Sequence, residues 1–247
     1  MFYKLLWIIL ACGIANATDS TNANLASQCL LTHYNTQKWN LKAIPTHRDA
    51  TEYEAALQSA QMADSFAYPY PLHSYAKQPF EDSSRIRDYN LLKATYGADK
   101  EQVKSYLQPL KWVDGTTILF NTQNGAYAAL ERVKAQLEAL LQENPKLIKY
   151  LQNIGGTYNW RTIASTQRLS PHSFGIAMDI NVTNSRYWLW DLRQNTFRQD
   201  LPAIPNAIVT IFESEGFIWG GRWWHYDTMH FEYRPEILCY AKIKDTN

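Results

Sequence analysis

The chain has no excess of charge of either sign: 24 lysines and arginines stand against 23 aspartates and glutamates in 247 residues. Nothing draws it to nucleic acid or to an anionic membrane by net charge, and no polybasic run does so locally. It lacks an apolar run able to cross a bilayer, since Leu5 to Ile14 offers about ten residues where ~20 are needed. Internal repeats and low-complexity tracts are missing as well. So are the His-Glu-x-x-His, Walker and Gly-x-Ser-x-Gly motifs, which removes three common routes to catalysis. Ser74-x-x-Lys77 has the form of a serine-peptidase nucleophile motif. It has no Lys-Thr-Gly partner and sits in a proline-rich connection, so chance accounts for it. Cysteine is scarce, with three in all and no pair at the spacing of zinc ligands.

What is present is apolar and aromatic: 46% hydrophobic and 14% aromatic residues suffice for a sizeable core. Lys4, the short apolar run and Ala15-Asn-Ala17 form an export signal, with cleavage expected after Ala17. A lipid attached at Cys12 fits the pattern poorly. Export to the periplasm or cell envelope would leave Cys29 and Cys239, either joined in a disulfide or separate as two buried thiols.

Residues 18 to about 50 are polar and aperiodic and read as an N-terminal arm. A short helix is expected from Thr51 to Met62. Ser83 to Tyr106 reads as helical up to Gly97 and again after Asp99. The clearest helix runs from about Gly125 to Glu143, where Ala126, Leu130, Val133, Leu137, Leu140 and Leu141 recur at helical spacing before Pro145. Beyond Tyr150, Ile176, Met178, Ile180 and Val182 alternate with Ala177, Asp179 and Asn181, as in a half-buried strand. Met229, Phe231 and Tyr233 alternate likewise with His230 and Glu232. Helices followed by strands predict an α+β fold with a small antiparallel sheet.

The two late segments carry the chemistry. His172, Asp179 and His230 supply two imidazoles and a carboxylate for a divalent metal, with Asp227 nearby as a general base. His172 and Asp179 are seven residues apart. That is ~10.5 Å of rise on a helix, and ~23 Å on an unbroken strand with the side chains on opposite faces. They can share an ion only if the chain reverses between them, and Gly175 permits that turn. With Ile176, Met178, Ile180 and Val182 toward the core, Asp179 faces the other way, beside small Ala177. In the later strand His230 and Glu232 share a face, so Glu232 is placed to orient a ligand.

Ser170-x-His172-x-x-Gly175-x-Ala177-x-Asp179 and Asp227-x-x-His230-Phe231-Glu232 together resemble the two signatures of the zinc D-alanyl-D-alanine carboxypeptidase and L-alanyl-D-glutamate endopeptidase family, which includes vancomycin-resistance enzymes and several phage endolysins. The resemblance spans about residues 116 to 238. It implies the fold shared with the hedgehog signalling domain, one zinc per chain, and hydrolysis of peptidoglycan stem peptides. Carried over by position, the ligands are His172, Asp179 and His230, and the base is Asp227. Arg161, in Gly155-Gly-Thr-Tyr-Asn-Trp-Arg161, takes the place of the arginine that stabilises the oxyanion. The dipeptidase branch ends its second signature in Glu-Trp-Trp-His. Here the stretch is Arg222-Trp-Trp-His225, and an arginine accepts no proton. His225 is therefore a residue near the site that contacts substrate, not a ligand, and Ser170 is grouped with it and Glu232. The implied organisation is a signal over 1–17, a mostly helical extension over 18–115 and a peptidase domain over 116–247. Two alternatives keep the same fold or metal: a wall-binding module without catalysis, and an exported zinc amidase cutting another wall bond.

Overall fold

The computed structural model describes residues 20–34, 39–198 and 203–246. The export signal expected at 1–17, with Lys4 and Cys12, lies outside them. The first described element, α1 (20–33), corrects the expectation of an aperiodic arm. Ala23, Ala26, Cys29 and Leu30 are buried at helical spacing. Most of that stripe is small side chains, which leave little hydrophobic signal among the surrounding Asn, Thr and Gln.

The next three helices start on the same chemistry. α2 (Ala50–Ser59), α3 (Tyr89–Tyr96) and α4 (Lys100–Tyr106) each follow an aspartate, Asp49, Asp88 and Asp99, whose carboxylate accepts two backbone N–H groups of the first turn. Each cap contributes about 0.5–2 kcal/mol. Because Asp88 caps α3, the helix expected from Ser83 begins only at Tyr89. Ser83–Arg85 forms a single 3-10 turn instead. The irregular residues 82–87 bring Arg87 to Glu232 in the late strand.

A hairpin follows, β1 (Leu107–Lys111) and β2 (Thr117–Asn121), paired antiparallel from Leu107↔Asn121 to Lys111↔Thr117. Pro109 hides β1 in the sequence, yet a two-stranded sheet has free edges where its missing N–H is tolerated. The boundary expected between 115 and 116 falls within this hairpin. α5 (Ala126–Glu143) then buries Ala126, Ala129, Leu130, Val133 and Leu137, while Leu140 and Leu141 are only partly covered.

The remaining elements are β3 (Ile154–Gly156), β4 (Ala177–Asn181), α6 (Trp188–Arg193), α7 (Asn206–Ser214), β5 (Phe217–Trp219), β6 (His230–Tyr233) and α8 (Pro235–Asp245). The four strands pair antiparallel in the order β3-β4-β6-β5. The fold is α+β with two small antiparallel sheets. On one face of the larger sheet Phe231 stacks on Phe212 of α7 with centroids 3.9 Å apart. The alternation in β6 predicts a half-buried strand, yet all four of its residues are buried, with Arg87 reaching Glu232 on the second face. Val182, expected in the core, lies just past β4 and is 38% exposed.

One hydrophobic core runs from Ala23 in α1 to Ala241 in α8, so the regions before and after residue 116 share an interior. Cys29 and Cys239 are joined by a disulfide spanning 210 residues, with Cα atoms 5.7 Å apart. Closing so long a loop removes unfolded-chain entropy worth about 5 kcal/mol. No described helix is long and apolar enough to cross a membrane.

Candidate metal centre

Strand register builds the centre. In the β4–β6 pair Asp179 sits opposite His230, and Ala177 opposite Glu232. Residues directly opposite share a face with Cβ atoms about 4.5–5.5 Å apart. On the other flank Asp179 faces Gly156 of β3, which puts no side chain there. His172 arrives on a 3-10 turn, Pro171–Phe174, capped by Ser170 and ended by Gly175 at φ 65°. That left-handed residue supplies the reversal demanded by the seven-residue gap. A Cβ at this position would also meet the Leu107 side chain at 2.5 Å.

The three side chains converge. Asp179 Oδ1 lies 3.2 Å from His172 Nε2 and 3.0 Å from His230 Nδ1. One donor atom from each residue falls within 4.8 Å of the others. The far nitrogens of the rings are held from behind. His172 Nδ1–H donates to the Thr157 carbonyl at 2.6 Å, and His230 Nε2 faces Glu232 Oε2 at 3.5 Å. These partners leave His172 Nε2 and His230 Nδ1 as the nitrogens that could meet a cation. His172 Nε2 is buried, close to Asp179 yet not aligned for a hydrogen bond with it. A buried polar atom left so costs about 1–3 kcal/mol, which a cation would relieve. Two imidazoles and a carboxylate fit the donor preferences of catalytic zinc.

Electrostatics agree with the geometry. Burial alone would raise Asp179, but His172 and His230 hold its carboxyl well below the usual carboxylate range. Burial opposes charge on His230 too, yet hydrogen bonds to Asp179 and Glu232 push it up to about 9. A cation binding here displaces that proton, as imidazole ligation requires.

Glu232 is held by a residue no local pattern indicates. Arg87 Nε and Nη2 donate to it at 2.8 and 2.6 Å across 145 residues of sequence. Glu232 is fully buried, and burial would raise it, but Arg87 and the His230 hydrogen bond keep it ionised, well below its ordinary range. Arg87→Ala should therefore cost about 3 kcal/mol, the low end for breaking a buried pair. Arg234 Nη1, at 3.6 Å, remains as a partial counter-charge. Loss of imidazole orientation should also weaken metal binding at the cluster about 10–100-fold. Melting temperature and a zinc competition titration check both effects, and a variant of wild-type stability would remove Arg87 from the centre's support.

Asp227 stands just before β6, its backbone bridged to Tyr187 and its N–H donating to the Gly220 carbonyl at 3.0 Å. Gly220 has no room for a side chain, since a Cβ would meet the Asp227 carbonyl oxygen at 2.5 Å. Asp227 Oδ1 is enclosed and unpartnered. Burial, and after it the neighbouring Asp179 charge, push its carboxyl up to about 7. That is the poise of a group able to take and return a proton.

The other expected residues fall in different places. Ser170 Oγ accepts the His172 N–H at 3.4 Å and fixes the turn. His225 is not one of the clustered donors; its Nδ1 lies 2.8 Å from Asp82 Oδ2. The same buried carboxylate accepts the backbone N–H groups of Trp224 and His225 at 2.6 and 3.0 Å. Arg161 is tied to the first motif by its backbone, which donates to Ser173 Oγ at 2.9 Å. Its guanidinium is exposed, with a single hydrogen bond of 3.5 Å to the Thr162 carbonyl. Arg85 also approaches this region, its guanidinium 5.7 Å from the centroid of the Trp223 ring. That ring is in turn 5.7 Å from His230.

Residues 164–233 match the family model described as D-alanyl-D-alanine carboxypeptidase. The matched stretch contains His172, Asp179, Asp227, His230 and Glu232, and it supports a metallopeptidase. It covers less than a third of the chain, leaving Asp82, Arg85, Arg87, Thr157 and Arg161 outside the peptidase match. No curated protein and no solved structure matches the chain significantly.

Proposed function

We propose that the protein is an exported zinc peptidase that hydrolyses peptide bonds in peptidoglycan stem peptides, as a D,D-carboxypeptidase or an L,D- or D,D-endopeptidase. The observation that carries this reading is the meeting of His172, Asp179 and His230 beside an enclosed, unpartnered Asp227, all within the matched segment. Export rests on the signal-like pattern of residues 4–17 and on the Cys29–Cys239 disulfide, a bond that persists in oxidising compartments.

His172, Asp179 and His230 would hold the zinc, which when bound supplies Lewis acidity to a peptide carbonyl and to water. Asp227 Oδ1 takes a proton from the attacking water. Once the C–N bond breaks, the same oxygen returns that proton to the leaving amine, so the carboxylate is regenerated. Glu232 and the Thr157 carbonyl keep the two imidazoles in the required tautomers.

Arg161 retains the role implied by position, at the carbonyl oxygen that becomes negative. From its exposed resting place the side chain has to swing inward on substrate. Arg161→Ala should then lower turnover by ~10²–10³ with little change in melting temperature. Unchanged turnover in the folded variant removes it from the mechanism. For the reaction itself, purified peptidoglycan is digested with the zinc-loaded protein and the fragments are identified by mass spectrometry. Released D-alanine, or peptides cut at one stem bond, is the expected result. Intact stem peptides beside a cut amide to the glycan would reassign the bond.

A further inference from the structure

We propose that Arg85 and Arg168 form a binding site for a substrate carboxylate beside the metal centre, one arginine coming from the N-terminal region and the other from the peptidase match. This deepens the function proposed above and rests on it.

Arg168 lies two residues before Ser170, at the close of a turn in which the Ile163 N–H donates to the Arg168 carbonyl at 2.8 Å. Its Nε is buried without a hydrogen-bond partner, although the residue as a whole is half-buried. Burial, with the like charges of Arg87 and Arg85, works against its own charge, and the Tyr89 hydroxyl is the main opposing influence. Arg87 is already committed to Glu232. Arg85 has Asp82 at 3.6 Å, but that carboxylate already accepts two backbone N–H groups and the His225 ring. Arg168 thus lies in the field of two other guanidinium groups and is the one of the three with no carboxylate in ion-pair reach among the described residues, while Arg85 shares Asp82 with the His225 ring. An enclosed N–H without an acceptor is costly, and a planar fork of N–H donors is matched best by a carboxylate.

The cluster also points toward the chemistry. Arg85 packs on Trp223, which packs on His230. An anion gripped here lies next to the bond being cut. Stem peptides carry carboxylates of two kinds, the free C-terminus and the branches of iso-linked residues. Holding the first makes the enzyme a carboxypeptidase, and holding the second lets it cut within the peptide.

The test uses the full mature chain as zinc-loaded Asp227→Asn, which binds without turnover, and titrates it calorimetrically with three synthetic stem peptides. One has a free C-terminus, one a C-terminal amide, and one an amidated branch carboxylate. One amidation should weaken binding about 10- to 100-fold, the scale of a charge-assisted hydrogen bond. Which amidation does so identifies the carboxylate held. Adding Arg168→Gln or Arg85→Gln should erase that difference at unchanged zinc content, and Lys at either position should restore part of it. If a Gln variant melts early or loses zinc, the Lys variant is compared with Asp227→Asn alone. Equal binding of all three peptides, or a difference that survives both substitutions, overturns the proposal. Hydrolysis by the wild type is scored separately. A protein that discriminates acid from amide but cuts no stem peptide keeps the carboxylate site and loses the peptidase assignment.

Discussion

His172→Ala should yield a folded protein with no bound zinc and only background hydrolysis. The three donors lie within 4.8 Å of one another, and removing one leaves two, too few to hold a catalytic ion against solvent. The substitution also strips the Thr157 carbonyl of its donor, at a cost of about 1–3 kcal/mol. A thermal readout separates metal loss from destabilisation. Zinc at a thousandfold excess over its dissociation constant should stabilise the wild type by about 4 kcal/mol, because only the folded chain assembles the donors. The variant should show no such rise. A His172→Ala protein that retains stoichiometric zinc would move the metal elsewhere.

Asp227→Asn is expected to do the reverse: it keeps zinc and fold and loses hydrolysis. The amide preserves the shape of the carboxylate but accepts no proton, and loss of a general acid–base costs about 10²–10⁴ in rate. Stability should hold or rise, since an enclosed, unpartnered oxygen whose ionisation burial disfavours gives way to a neutral group. Falling activity without falling stability is the mark of a group kept for chemistry. Near wild-type turnover would pass the role to another carboxylate, with Glu232 the nearest by sequence.

The parts of the centre readable in the sequence are those whose geometry is local. Gly175 between His172 and Asp179 implied a reversal, and the structure places a left-handed residue there. Strand parity put His230 and Glu232 on one face, and the register sets Asp179 opposite the first and Ala177 opposite the second. What escaped notice was carried by distance along the chain. Arg87 meets Glu232 across 145 residues, Asp82 meets His225 across 143, and Thr157 contributes only a carbonyl that every residue possesses. Among secondary elements, α1 escaped because its buried stripe is mostly alanine and cysteine, and β1 because of Pro109. The helix from Ala126 was plain because Leu130, Val133 and Leu137 repeat along a single stripe.

The long reach from Arg87 to Glu232 has a consequence in time. A ribosome delivers Asp82, Arg85 and Arg87 well before His172, and delivers Asp227, His230 and Glu232 later still. Cys239, which staples α1 in place, follows them. Until that final stretch has emerged, Arg87 lacks the carboxylate it will pair with, and His172 and Asp179 have no third donor. The three-donor cluster therefore cannot close until β6 has been made.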